Sequence, residues 1–402
     1  MRNAPIILWW LLPFACACGC AVTSKGAPES SATEGDTSPR ATSETEAADA
    51  SSDDVTVEPA EGARPDTAEP DPDTPLTFAQ LAASYGIIET VAGRGEFGSK
   101  RYNGWEERFE GGPATDAELS RPHITLGDAE GNLFVADKDA HAIRKISPDG
   151  RIVTVAGTGE AGDDGDEPRP GSSSRLSSPN GLWIGPAGQL YILDLGNSKI
   201  RKLDTEGQLS TLFALPESAG TGRGLWVSDD ARLAYVSAGT SLLRWTAEGG
   251  ATTHADGFVS LGNLHVSPQG ELAVADRGGH RVYSIGSDGT KTPIAGNGDT
   301  QGGGAGSAAL ETGLDEVRGI FFHPRGGYFL ATHKGDQVWY VDAEGTIHLF
   351  VDGDGGDHHE GDGERHAPGE KISEPRAVTM DPKGNVIITE NDLGFVRRVR
   401  LR

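Results

Sequence analysis

The stretch Arg121 to Gly157, RPHITLGDAEGNLFVADKDAHAIRKISPDGRIVTVAG, decides the fold of this 402-residue chain, because degenerate copies of it return as far as the C-terminus. It holds four short apolar runs, Ile124 to Leu126, Leu133 to Ala136, Ala142 to Ile146 and Ile152 to Ala156, separated by turn-forming residues. Runs of that length bounded by turn signals predict strands rather than helices. The first connection carries Gly131 and the third Asp149-Gly150, where a residue free to adopt positive φ closes a tight turn. The unit is therefore a four-stranded antiparallel meander.

Aligned on the second strand and its closing polar residue, six copies end at Asp137, Asp194, Ser237, Asp276, Thr332 and Glu390. Four of them share a first turn with proline and glycine in register: Gly185-Pro186-Ala187-Gly188, Ser267-Pro268-Gln269-Gly270, His323-Pro324-Arg325-Gly326 and Asp381-Pro382-Lys383-Gly384. Proline presets φ at the second turn position and glycine relieves the last. The sixth copy begins at Pro375 and reaches Arg402 after three strands. Its fourth strand is supplied from the other end, since Gly86 to Gly93 (GIIETVAG) matches Gly150 to Gly157 (GRIVTVAG) outside the first full copy. Repeats of four strands whose ends complement each other close into a ring and lose their open edges. The expected fold is all-β, a six-bladed β-propeller of four-stranded antiparallel blades closed by pairing of Ile87 to Ala92 with Phe395 to Leu401.

The run Asn132 to Ile146 (NLFVADKDAHAIRKI), Asp194 to Arg201 (DLGNSKIR), Asp276 to Val282 (DRGGHRV) and the linker Gly111 to Leu119 (GGPATDAEL) resemble the NHL-repeat β-propellers over about Tyr85 to Arg402. The resemblance implies the fold. It leaves function open, because that family includes protein-binding, RNA-binding, sensor and enzymatic members.

Residues 1–20 are read as a targeting segment. Arg2 precedes the apolar run Ile6 to Phe14, too short to span a bilayer, and the segment ends Ala15-Cys16-Ala17-Cys18-Gly19-Cys20. It resembles a bacterial lipoprotein signal with Cys18 as the lipidated residue and Cys20 as second choice; the alternative is an ordinary secretory signal. All 3 cysteines fall in this segment, so the remainder is expected to use no disulfide, thiol nucleophile or cysteine metal site. Residues 21–75 form the next expected unit, a disordered acidic linker rich in Ser, Thr, Glu and Pro. Ala21 to Thr74 has 14 acids against Lys25, Arg40 and Arg64, a charge of −11, which leaves −14 of the whole-chain −25 for the rest. Such a segment buries too little apolar surface to offset its ordering entropy. An acidic propeller over 76–402 argues against nucleic acid, whose phosphates need basic clusters. Thr74-Pro75 ahead of Leu76 to Tyr85 and Gly86 predicts a short helix where the ring closes.

Two constellations are candidates for binding. The long linker after the fifth blade carries Asp354, Asp357, His358, His359 and His366, a donor set for Ca²⁺ or Zn²⁺, although its spacing is not that of an EF-hand and a solvated loop would have the same composition. The second comes from repeat register. The first strand of each blade lines the channel, so the residue entering it recurs six times around one axis: His123, Asn180, Arg223, Gly262, Arg318 and Arg376. Three guanidinium groups at one mouth offer forked donors to a carboxylate or phosphate. The alternative is that each arginine pairs with an acid closing a neighbouring second strand, such as Asp194, Asp276 or Glu390. No nucleophile elbow, phosphate loop or HExxH occurs. The expectation is a monomeric, non-catalytic binding or scaffold propeller held at a bacterial cell envelope by its lipid anchor, with a protein or small anionic ligand as partner. The competing reading is a metal-dependent hydrolase or lyase using His123, His265 or the loop histidines.

Overall fold

The computed structural model describes residues 74–96, 102–216, 222–353, 361–366 and 370–402. The targeting segment, the linker and four of the proposed metal donors, Asp354, Asp357, His358 and His359, lie outside the described residues. Six small sheets form the ring, and within each repeat the chain passes through antiparallel strands from the innermost outward. Blade one comprises Pro122–Gly127, Leu133–Asp137, Ala142–Ile146 and Ile152–Ala156, so the four apolar runs are the four strands. Blades two to five begin with the inner strands Pro179–Ile184, Leu225–Val227, Leu261–Val266 and Val317–Phe322. Blades two and five each gain a short fifth strand, Arg169–Pro170 and Glu370–Ile372, on the outer edge. Among the described residues no helix is long and apolar enough to cross a membrane.

Blade six contains Pro375–Met380, Val386–Glu390 and Phe395–Leu401, and its outermost strand is Tyr85–Ala92, with Tyr85 opposite Leu401 and Ala92 opposite Val396. Ring closure by the N-terminal strand is thus observed as expected. The helix differs from expectation. It spans Phe78–Ser84 and is capped by Thr77, not Thr74, because Thr77 and Gln80 form a reciprocal capping box that Thr74 has no partner to make. Its Leu81 is fully buried among Phe329, Tyr340, Val386 and Val399, so it seals the junction of blades five and six. Burying Leu81 and Ile88 should contribute about 1.5–3 kcal/mol each.

Where the second strand ends in an acid, that acid has a structural task. Asp137 accepts the Ser120 amide at 2.6 Å and the Arg144 Nε at 3.1 Å. Asp194 takes the Ser177 amide at 2.7 Å and lies 3.6 Å from Arg201 Nη1. Glu390 takes the Ser373 amide at 3.0 Å and Arg397 Nη1 at 3.2 Å. Each pair is buried and ties the third strand to the linker that delivers the inner strand. The arginines that bind these acids therefore come from the third strand, Ile-Arg in blades one and two and Val-Arg in blade six, not from the channel. In blade three Ala238 faces Ser241, the first residue of the third strand, as Asp137 faces Ala142. Its turn is two residues shorter, so Ala238 holds the acid position that sequence alignment gives to Ser237.

Closure predicts a specific failure. Removing residues 1–93 leaves Phe395–Leu401 as a bare edge and takes away the Ile88 and Leu81 burial. The truncated chain should aggregate or melt early, whereas removing residues 1–73 should not change the melting temperature. Size-exclusion chromatography and thermal unfolding of the two truncations check this, and a monomeric 94–402 fragment with full melting temperature would refute it.

Candidate functional site

Four of the inner strands begin after a residue in left-handed conformation, and in three of these blades that residue carries a charge: Arg121 (φ 57°), Glu316 (φ 49°) and Glu374 (φ 45°). Non-glycine residues seldom adopt this region, and such outliers collect at functional sites. Next to them stand the ring residues named from repeat register. His123, Asn180, Arg318 and Arg376 are buried, and Arg223 is intermediate. Burial of the ring and mutual repulsion place the arginines in one electrostatic unit. The guanidinium of Arg376 is pushed well below its usual range first by desolvation and then by Arg318 and Arg223, and Arg223 likewise by desolvation and then Arg318.

Their partners are unequal. Arg318 is held by Glu316, with Nε 3.1 Å from Oε2. Arg376 donates Nη2 to His333 Nε2 at 2.8 Å and lies 3.7 Å from Asp392, while its Nε is buried without a partner. Arg223 makes no ion pair with a described residue, and its Nε and Nη1 are shut away from solvent with no hydrogen-bond partner among the described residues. Both ring nitrogens of His123 are also buried and unpartnered among the described residues, as is Asn180 Oδ1, although Asn180 Nδ2 donates to the Gly222 carbonyl at 2.7 Å. Desolvation, then Arg376 and Arg223, keep His123 neutral. Gly262 leaves room in the ring because a Cβ there would come within 2.6 Å of the Arg318 carbonyl. None of the channel arginines pairs with Asp194, Asp276 or Glu390, so the alternative pairing considered for them is not what the structure shows.

A second tier of mouth residues was not singled out from sequence. His333, Glu374 and Asp392 bring a nitrogen and two carboxylate oxygens within 4.8 Å of one another. His333 and Asp392 fall one and two residues past Thr332 and Glu390, in the loop that follows the second strand, so extending the search beyond the acid would have exposed them. This set fits a divalent ion poorly. Arg376 already engages His333 Nε2, and Glu374 is pushed up to about 7 by burial and by its hydrogen bond with Asp392, whose own carboxyl is held low by that bond, Arg376 and Arg121. The one described member of the loop donor set, His366, sits apart from these residues. It is buried against Tyr85 and Phe350, with Nδ1 donating to the Gly86 carbonyl at 3.2 Å.

The Glu374 carboxyl predicts a pH response with a definite sign. The folded chain keeps a proton that the unfolded chain sheds near its usual 4.5, so stability falls as pH rises from about 4.5 to about 7. Asp392→Asn removes the negative neighbour and should reduce that fall. Melting temperatures between pH 4 and 8 measure both, and identical slopes in wild type and Asp392→Asn would refute the coupling.

The family profile described as Teneurin NHL domain matches residues 85–204, the closing strand, the first blade and the first three strands of the second. A relative from Gallus gallus, NHL repeat-containing protein 2, is 33% identical over 127 residues, 30% of this chain and 17% of its own length. The chain spans no more than about a sixth of the length of the curated relatives it matches. Among solved structures, an auxiliary nutrient binding protein from Bacteroides thetaiotaomicron superposes with TM-score 0.57 at 13% identity, covering 78% of this chain and 76% of that one. A gluconolactonase from Xanthomonas campestris superposes with TM-score 0.53 at 14% identity, over 83% and 95% of the two chains. At such identities the superpositions speak for fold. The chain is a six-bladed β-propeller whose residues 85–204 match the NHL domain profile.

Proposed function

We propose that this propeller is a non-catalytic binding protein whose channel mouth takes a small carboxylate- or phosphate-bearing ligand. The observation that carries the reading is Arg223, with two buried donor nitrogens and no ion-pair partner among the described residues, beside an unpartnered Arg376 Nε and His123. A buried guanidinium left unpaired is costly, and an anion that accepts from it returns that cost as charge-assisted hydrogen bonds. Each such bond should contribute about 1.5–3 kcal/mol, which is roughly ten- to a hundredfold in affinity. The hydrolase or lyase reading is supported by the His333, Glu374 and Asp392 set, but Arg376 occupies the place a cation would take.

A thermal-shift screen of the purified full chain with succinate, citrate, phosphate and sugar phosphates tests this. At least one anion should raise the melting temperature of wild type, and Arg223→Ala should abolish that rise. Without ligand, Arg223→Ala should melt no lower than wild type, since it relieves like-charge repulsion. No stabilising anion together with early melting of Arg223→Ala would make the arginine purely structural. Zn²⁺ or Ca²⁺ that stabilises wild type but not Asp392→Asn would favour the enzyme reading instead.

The same proposal places the propeller at a bacterial cell envelope through lipidation of Cys18, with residues 21–75 as an extended tether. The support is the short apolar run followed by small residues and cysteine. Wild type expressed in a bacterium should partition into detergent, and a Cys18→Ser, Cys20→Ser double variant should not. Detergent partitioning that survives in the double variant would overturn the anchor.

A further inference from the structure

Three residues beyond the anion ring on every inner strand lies a second repeat position, occupied by Leu126, Trp183, Trp226, His265, Phe321 and Thr379. Four consecutive blades, two to five, thus present aromatic rings at the end of the channel opposite the arginines. Trp183 and Trp226 have centroids 6.2 Å apart at 55°, and His265 stacks on Phe321 at 4.1 Å. Trp183 also lies 6.1 Å from His265 although their blades are not neighbours, so these side chains reach toward the axis. Trp183, Trp226 and Phe321 remain partly exposed, in contrast to the fully buried Phe329 and Phe350 between blades.

These rings wall a cavity of about 680 Å³, a size that accepts a small organic ligand. Its rim carries the exposed carboxylates Asp229 and Asp230, and neither lysine nor arginine lines it. The Ser228 hydroxyl at 2.7 Å and the Arg232 amide at 3.0 Å hold Asp230 below the usual carboxylate range. His265 adds a ring rather than a charge. Burial pushes it down to about 4, and its Nδ1 accepts the Phe322 amide at 3.2 Å, which leaves the proton on Nε2.

Inclined aromatic faces present negative electrostatic potential to whatever sits between them, and carboxylates at the rim add to it. We propose that this mouth binds an organic ammonium ion, of the alkylated kind carried by choline or betaine. Hydrophobic contact alone would not call for the acidic rim, and a neutral sugar would gain nothing from the missing lysines and arginines. The channel would then take opposite charges at its two ends, independently of each other.

Tryptophan fluorescence of the full chain, titrated with choline and with its uncharged isostere 3,3-dimethyl-1-butanol, separates charge from shape. Choline should quench saturably, with the isostere at least tenfold weaker. Trp226→Ala should weaken choline tenfold or more, and the exposed Asp229→Asn, Asp230→Asn pair should weaken it several-fold without lowering the melting temperature. Arg223→Ala should leave it unchanged. Equal binding of choline and the isostere, tighter binding of glucose or N-acetylglucosamine, or no saturable response to choline in wild type would each overturn the proposal. The last of these, with Trp226→Ala melting early, would identify the rings as a channel plug.

Discussion

The pairing of Tyr85–Ala92 with Phe395–Leu401 is the constraint on which the remaining structure depends. A meander of four strands cannot bury both faces alone, and each blade here covers its neighbour: Leu126 and Ile143 of blade one pack with Leu182 and Ile192 of blade two. Such a chain of mutual cover ends only if the last blade meets the first, as it does where Thr379 Oγ donates to the Thr125 carbonyl at 2.6 Å and Asn391 Nδ2 to the Pro122 carbonyl at 2.8 Å. With the ring shut, six inner strands share one axis and residues far apart in sequence become neighbours. The charge cluster at the mouth is a product of closure, not of any one blade.

Within that frame the buried acid and arginine pairs of blades one, two and six tie the third strand to the start of the inner strand. A buried ion pair adds little net stability once desolvation is counted. Its value here is positional, because the same carboxylate that holds Arg144, Arg201 or Arg397 also fixes the amide of the linker just before the inner strand. Blade three has Ala238 at the acid position and a short inner strand, Leu225–Val227, and Arg223 stands ahead of that strand as the one ring arginine with no acid to hold it among the described residues.

Much of this was legible in the sequence because it depends on local chemistry repeated in register. Strand runs, turn glycines such as Gly131 (φ 90°) and Gly384 (φ 84°), and the orphaned fourth strand all follow from backbone preference and periodicity. Repeat register also delivered the ring of His123, Asn180, Arg223, Arg318 and Arg376. What it could not deliver was partnership. That Arg318 finds Glu316, two residues away, while Arg376 finds His333 across a blade boundary depends on left-handed backbone at Glu316 and Glu374, which no residue preference announces. The helix cap was misplaced for a related reason, since proline at Pro75 signalled a start but the reciprocal bonds of Thr77 and Gln80 set it.

The offset between repeat and blade has a consequence for how such a chain can grow. The unit that recurs in sequence runs from inner to outer strand, whereas the blade that closes the ring is assembled from both ends, with Tyr85–Ala92 outside Phe395–Leu401. Duplication or loss of one internal repeat would therefore change the number of blades and the width of the channel while leaving the seam, its helix and its pairing intact. Closure is insulated from copy number, so ring size and the charge carried at each mouth can be altered by gene rearrangement without redesigning the element that keeps the ring shut.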